Sequence, residues 1–256
     1  MMFRSAWLML GIGLLAGCTL LPRQNAVPTD MHSKVEIEGM QDVRYLAYSQ
    51  HGIDAMLRDL QSGSHEQAYV GDPKRRDSSY YLSLSGGGDN GAFGAGLLTG
   101  WTARGDRPSF DLVTGVSTGA LIAPFAYLGP DYDHVLKHVY TETTRADIFI
   151  ELGLFGALLG DAYADTSPLF GLISEYVNAD LLKKIAYEYD TKNRWLLVAT
   201  TNLDAGVPVI WNMGKIASVG TPEALDLFRK IMLASASIPG AFPPVMFDVV
   251  AEGHHY

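Results

Sequence analysis

The sequence predicts a three-layer α/β/α fold around a mainly parallel sheet, and three observations carry that expectation. Between Ser79 and Tyr127 the chain reads strand, glycine turn, helix, strand, sharp turn, helix, the order of parallel strands joined by crossover helices. Hydrophobic residues make up 48% of the 256 and charged residues 18%, enough apolar material for a substantial core. No internal repeat or low-complexity block interrupts the pattern.

The first segment is of another kind. Met1–Arg4 carries one positive side chain, Ser5–Leu15 is mostly apolar, and Leu15-Ala16-Gly17-Cys18 follows. A short basic start, an apolar stretch and small residues before a cut make a secretory signal. The apolar run Ala6–Leu21 is shorter than the ~20 residues a helix needs to span a bilayer. The Leu-Ala-Gly-Cys ending resembles a bacterial lipobox, which implies that Cys18 is lipidated and becomes the mature N-terminus. Thr19 in place of Asp then implies the outer membrane in a Gram-negative cell. Cys18 is the single cysteine, so neither an intrachain disulfide nor a zinc site of paired cysteines is available.

Charge narrows the partners. Nineteen basic against 28 acidic residues give a formal charge of −9, with no long basic run. Nucleic acid is excluded as a partner, because phosphate binding needs clustered Lys and Arg. Electrostatic adhesion to anionic lipid is disfavoured for the same reason, so membrane attachment has to come from apolar groups or a covalent lipid.

Four stretches follow from these readings: a signal over residues 1–18, a polar tether over 19–40, an N-terminal extension over 41–78 and the main domain over 79–256. In the extension, Ile53, Met56, Leu57 and Leu60 share one helical face. Gly71-Asp72-Pro73 marks a turn. In the main domain, Ser79–Ser85 reads as a strand, Ala92–Ala103 as a helix, Phe110–Gly115 as the next strand and Ser117–Tyr127 as the next helix. Tyr132–Asp190 reads as mostly helix. Within it Gly153–Gly160 is an apolar segment read as buried packing, with a lipid-facing surface as the alternative. Trp195–Thr201 is a strand with Val207–Met213 as its partner. Pro222–Ala236 is a helix opened by proline, and Val245–Val250 a final strand.

Two glycine-framed turns carry the chemistry. Gly115-Val116-Ser117-Thr118-Gly119 has the spacing of a nucleophile elbow, a serine on a sharp strand-to-helix turn. Glycines two residues to either side let strand and helix approach without Cβ clashes. The serine also sits at a helix N-terminus, where the dipole favours developing negative charge. Upstream lies Gly86-Gly87-Gly88-Asp89-Asn90-Gly91, whose glycines free backbone N–H groups to face an anion. A P-loop reading fails, because Ala92-Phe93 stands where Lys and Ser or Thr are needed. A dinucleotide turn fits Gly86, Gly88 and Gly91 but needs an acid at the end of the second strand, and Asp111 stands at its start. The favoured reading is an oxyanion hole beside Ser117, since adjacent parallel strands bring both turns to one sheet edge.

Together these motifs resemble the patatin-like phospholipase family. Gly-Gly-Gly-x-x-Gly is followed about 30 residues later by Gly-x-Ser-x-Gly. Ala199-Thr200-Thr201-Asn202-Leu203-Asp204-Ala205-Gly206 is similar to the family's strand-and-turn segment. Ala234-Ser235-Ala236-Ser237-Ile238-Pro239-Gly240-Ala241-Phe242-Pro243-Pro244 is similar to the segment before its last catalytic strand. The resemblance runs from about Tyr80 onward. It implies hydrolysis of acyl esters in membrane phospholipid or another lipid, through an acyl-enzyme on Ser117. Gly87 and Gly88 N–H groups receive the oxyanion, Gly86 and Gly91 shape that loop, and no metal or organic cofactor takes part.

Two departures stand out. Asn90 occupies a position where the family has Arg or Lys. The family's acid lies in Asp-Gly-Gly or Asp-Gly-Ala after the Phe-Pro-Pro segment, and no Asp-Gly dipeptide occurs in these 256 residues. Asp248 precedes Val and reads as an ordinary strand residue. The chain is therefore expected to stop short of the family's acid and to supply half of a Ser-Asp dyad. Two rival readings accompany this one. The first is a Ser-His-Asp hydrolase using Ser117, Asp204 and His254 or His255. The second is a catalytically impaired lipid-binding or envelope lipoprotein. His134 and His138, four residues apart, read as a solvated helix face rather than a metal pair.

Overall fold

The computed structural model describes residues 26–62, 79–151 and 164–256. Cys18 with its signal, the Gly71-Asp72-Pro73 turn and the 153–160 segment lie outside the described residues.

The central sheet has five strands among the described residues, in the order β1-β7-β6-β3-β2. They are β1 (Arg44–Leu46), β2 (Tyr81–Leu84), β3 (Leu112–Val116), β6 (Trp195–Asn202) and β7 (Val207–Asn212). β2, β3 and β6 pair in parallel, while β7 is antiparallel to both β6 and β1. Only β7 therefore runs against the common direction. Trp195, Leu196, Leu197 and Val198 are all buried. Burial of successive residues means that both faces of β6 are covered, as in a three-layer arrangement.

The helices follow in order: α1 (Gln50–Ser62), α2 (Gly91–Arg104), α3 (Thr118–Leu128), α4 (Asp133–Thr141), α5 (Ser167–Tyr176), α6 (Ala179–Lys192), α7 (Met213–Val219) and α8 (Pro222–Ala236). α3 is buried almost throughout and packs on β3 and β6, with α8 packed against both α3 and β6. Polar caps fix several starts. Asn178 accepts from the N–H groups of Asp180 and Leu181, and Thr221 from Ala224 N–H. Arg194 ties the layers from inside. Its Nε donates to Phe110 O at 2.7 Å, and its Nη1 pairs with Glu188 at 2.6 Å. Tyr127 Oη donates to Arg194 O at 2.9 Å. Burial pushes the Glu188 carboxyl up, but hydrogen bonds from Lys192 and Arg194 outweigh it and hold it below its ordinary value.

Several sequence expectations are corrected. Val245–Val250 is not a strand of the central sheet. Only Val250–Ala251 (β8) is extended, in a hairpin with His254–His255 (β9), and Val250 bridges to Glu36. Pro243 and Pro244 have no N–H to give a ladder, and Val249 turns its N–H to Tyr256 O. Tyr132–Asp190 contains a two-stranded pair, β4 (Ile150–Glu151) with β5 (Ala164–Asp165), besides its helices. Met213 opens α7 instead of ending β7, because Asn212 accepts from Lys215 N–H and caps a helix there. The 41–78 stretch contributes β1, an edge strand of the central sheet.

Two glycines give opposite expectations. A Cβ on Gly52, at the start of α1, would lie 2.3 Å from Leu46 O, whereas one on Gly100 in α2 meets nothing within 4 Å. In urea unfolding, Gly52→Ala is expected to cost about 1–3 kcal/mol by overpacking. Gly100→Ala is expected to stabilise by roughly 0.5–1 kcal/mol through helix propensity.

Candidate active site

The site is built where β2 and β3 end. Their register pairs Leu84 with Gly115, so the two chains leave the sheet side by side. Gly86–Gly91 follows one strand and Ser117 the other. A Cβ placed on Gly86 would lie 2.9 Å from Ser117 Cβ and 3.5 Å from Ser117 Oγ. The glycine loop and the serine, 31 residues apart in sequence, are thus in direct contact.

Ser117 stands between β3 and α3 with φ 56° and ψ −127°. A positive φ at a residue with a side chain costs roughly 1–3 kcal/mol and persists only where neighbours enforce it. The neighbours are visible. A Cβ on Gly119 would fall 2.2 Å from Leu84 O, and one on Gly115 would fall 2.6 Å from Gly119 O. Neither contact can be relieved by a side-chain rotation, because the opposing atoms are backbone. These two glycines are what allow α3 to leave β3 so sharply. Gly91 serves the partner turn: a Cβ there would lie 2.2 Å from Thr118 Oγ1 and 2.9 Å from Tyr140 Cε1.

The donors around Ser117 can be assigned one by one. Gly87 and Gly88 have φ of 156° and 55°, and their N–H groups bond to no acceptor among the described residues. Asn90 N–H donates to Gly87 O at 3.1 Å, closing a 3-10 turn over Gly88–Asn90. Thr118 is the first residue of α3, so its N–H is one of the donors a helix leaves without an internal partner. The sequence reading missed this donor, although the residue after an elbow nucleophile is where one is expected. Ser117 N–H itself is engaged, donating to Ser235 Oγ at 2.9 Å.

Behind the turn, Thr118 Oγ1 and Tyr140 Oη share a hydrogen bond of 2.7 Å. Tyr140 Oη also donates to Thr118 O at 3.3 Å. Burial pushes the Tyr140 phenol up to about 12, so it stays a neutral donor at ordinary pH. Tyr140 had no sequence signal, and Ser235 lay in the Ala234–Pro244 family segment with no site role assigned to it, since their partners lie 22 and 118 residues away.

The other candidates fall elsewhere. His254 and His255 form β9, paired with β8 beside the Glu36 segment, and His255 lines a cleft of about 570 Å³ with Glu36, Ile37, Glu38, Gly39 and Gln41. Neither imidazole is hydrogen-bonded to Ser117. Asp204 is in the exposed turn after β6, where its N–H donates to Asn202 Oδ1. His134 Nδ1 meets Asp131 O and His138 Nδ1 meets Glu142, so each ring has its own protein partner. Asp248 lies in the irregular stretch before β8. Among the described residues no carboxylate or imidazole is hydrogen-bonded to Ser117 Oγ.

No curated protein matches this chain. The family model described as patatin-like phospholipase matches residues 82–253, a span that takes in both glycine turns, Ser117 and Ser235. An elbow serine against a glycine-rich donor loop, at the edge of a mainly parallel sheet, accords with that match, and the chain belongs to the patatin-like phospholipase family.

Proposed function

We propose that this protein is a lipid acyl hydrolase that forms an acyl-enzyme on Ser117. The observation that carries the reading is the contact between the Gly86 turn and a serine held at φ 56°. That contact brings the glycine loop against Ser117, the side chain that this reading has attack an ester carbonyl. Ser117 Oγ adds to the carbonyl carbon, and the carbonyl oxygen takes the negative charge. The N–H groups of Gly87, Gly88 and Thr118 receive it, an effect typically worth about 2.7–4 kcal/mol per donor. Collapse expels the alcohol and leaves the acyl group on Ser117. Water then releases the fatty acid and restores the serine.

Each half-reaction moves one proton, from Ser117 and then from water. The family resemblance gives that task to the Asp of an Asp-Gly dipeptide, and these 256 residues contain none. Asn90 in place of a basic residue leaves the donor set intact, since donation rests on backbone groups. The second reading, a lipid-binding protein with an impaired site, is favoured by one observation: no base contacts Ser117 Oγ among the described residues. We also propose that lipidated Cys18 holds the protein at a bacterial envelope membrane beside its substrate. Each buried methylene of such an anchor contributes about 0.8 kcal/mol.

Turnover of a short-chain p-nitrophenyl ester separates the two readings. The hydrolase reading expects Ser117→Ala to lower kcat/KM by about a thousandfold. Equal turnover by both proteins, with the circular dichroism spectrum retained, would leave the binding reading in its place. Gly86→Ala is expected to lower kcat by roughly tenfold to a hundredfold with little change in KM, because its methyl displaces the nucleophile. For the anchor, Cys18→Ala should move the protein from the membrane to the soluble fraction and abolish incorporation of labelled palmitate. Unchanged fractionation would exclude the lipid anchor.

A further inference from the structure

We infer that Ser235 is a positioning residue: its hydroxyl latches the nucleophile elbow to β6 and holds the Ser117 N–H out of the oxyanion hole. Its kinetic consequences rest on the hydrolase reading above; its structural consequence does not.

One serine of α8 departs from the usual helical pattern. A serine in a helix ordinarily returns its hydroxyl proton to the carbonyl three or four residues earlier. Ser237, just past the end of α8, does so, donating to Leu233 O at 2.9 Å. Ser235 does not. Its Oγ donates instead to Ala199 O at 2.7 Å, 36 residues away, and accepts from Ser117 N–H at 2.9 Å. A hydroxyl has one proton to give and two lone pairs to accept with, so one donation and one acceptance define its orientation.

The two partners are the ones that matter for the elbow. Ala199 is paired with Val116 across the β3–β6 ladder, one residue before the nucleophile. Ser235 therefore connects the residue after β3 to the neighbouring strand through a group belonging to neither. The β3 ladder ends at Val116, so Ser117 N–H has no strand partner to fix it. Ser235 supplies that partner where φ leaves the ordinary range. It also decides the donor set. An N–H bound to Ser235 Oγ cannot turn to the substrate oxyanion, which leaves Gly87, Gly88 and Thr118 to receive it.

The test compares Ser235→Ala and Ser235→Thr with the parent chain by two independent readouts. In amide exchange followed by NMR, Ser117 N–H is expected to exchange at least tenfold faster in Ser235→Ala and at the parent rate in Ser235→Thr, whose hydroxyl is retained. In ester turnover, Ser235→Ala is expected to lose about tenfold to a hundredfold in kcat with KM within about twofold, and Ser235→Thr to recover most of it. Global unfolding measured in parallel separates a local latch from a general loss of stability. Should Ser235→Ala melt below the assay temperature, Ser235→Cys takes its place, keeping the volume with a weak hydrogen-bonding group. Parent-like Ser117 exchange in a folded Ser235→Ala or Ser235→Cys variant would overturn the latch, and so would unchanged kcat. If the parent chain itself shows no Ser117-dependent turnover, the hydrolase reading fails and amide exchange alone decides the role of Ser235.

Discussion

The close approach of two backbones beneath Ser117 is the constraint on which the site depends. Gly119 lies so near Leu84 O that a methyl there would sit 2.2 Å from it. This contact joins the end of β2 to the first turn of α3, the two elements that carry the glycine loop and the serine. Because β2 and β3 run in parallel and in register, pulling them together at this point also aligns their exits. The strain at Ser117 is then a consequence. A chain that must turn from β3 into α3 over one residue, with Leu84 O against its inner side, has little choice but a positive φ at the corner. Fold and site are here one geometric fact, since the packing that closes the sheet against α3 is the packing that presents the hydroxyl.

That fact explains which parts of the molecule could be read in the sequence. Gly115, Gly119 and Gly91 were legible because each answers a local steric demand that only glycine meets, and such a demand leaves a mark at a fixed spacing. The alternation of strands and helices from Tyr81 to Leu128 was legible for the same reason, each element being short, periodic and bounded by turn residues. β1 was not. Three residues, Arg44-Tyr45-Leu46, give no periodicity, and they are a strand only because β7 is there to pair with them. The helix after β7 was missed although its signal was present, for Asn212 is a cap whose side chain is fully buried and bonded to Tyr189. Val245–Val250 misled in the opposite sense. Its β-branched residues suit a strand, yet the prolines before it and the hairpin after it take it away from the sheet. Ser235 and Tyr140 show the limit most clearly: each acts through one hydrogen bond to a distant residue, and neither bond has a local pattern.

The supporting shell divides into two clamps of different chemistry. On one side Tyr140 holds Thr118 through its phenol, buried and pushed up to about 12, so the bond does not change over the physiological range. On the other side Ser235 holds Ser117 through a hydroxyl with no accessible titration. Both clamps are neutral. A charged group in either place would add its own field at the point where an oxyanion develops, helping or opposing it according to sign. Neutral hydrogen bonds fix position and leave the electrostatics to the backbone N–H groups and the α3 dipole. The division suits a turn whose geometry has to be held constant while the charge in front of it changes.

Geometry and nucleophilicity are nevertheless separate achievements. On the hydrolase reading the elbow positions Ser117 and the loop stabilises negative charge on the substrate, but neither removes the serine proton. A hydroxyl far above neutral pH is a weak nucleophile unless a neighbouring base takes its proton as the bond forms. The α3 dipole cannot substitute for that base, because a terminus equivalent to about half a charge contributes on the order of 1 kcal/mol, well short of what proton removal requires. On the hydrolase reading, preorganisation is most useful beside a base, because the oxyanion that Gly87, Gly88 and Thr118 would stabilise forms as the serine proton leaves. The proposed hydrolase would then use the glycine turns and Ser117, held by Tyr140 and Ser235, to bind the transition state, and a base to take the serine proton. The two contributions multiply in the rate, so a site with the first alone loses the factor the base would supply and keeps the residual stabilisation of its donor loop.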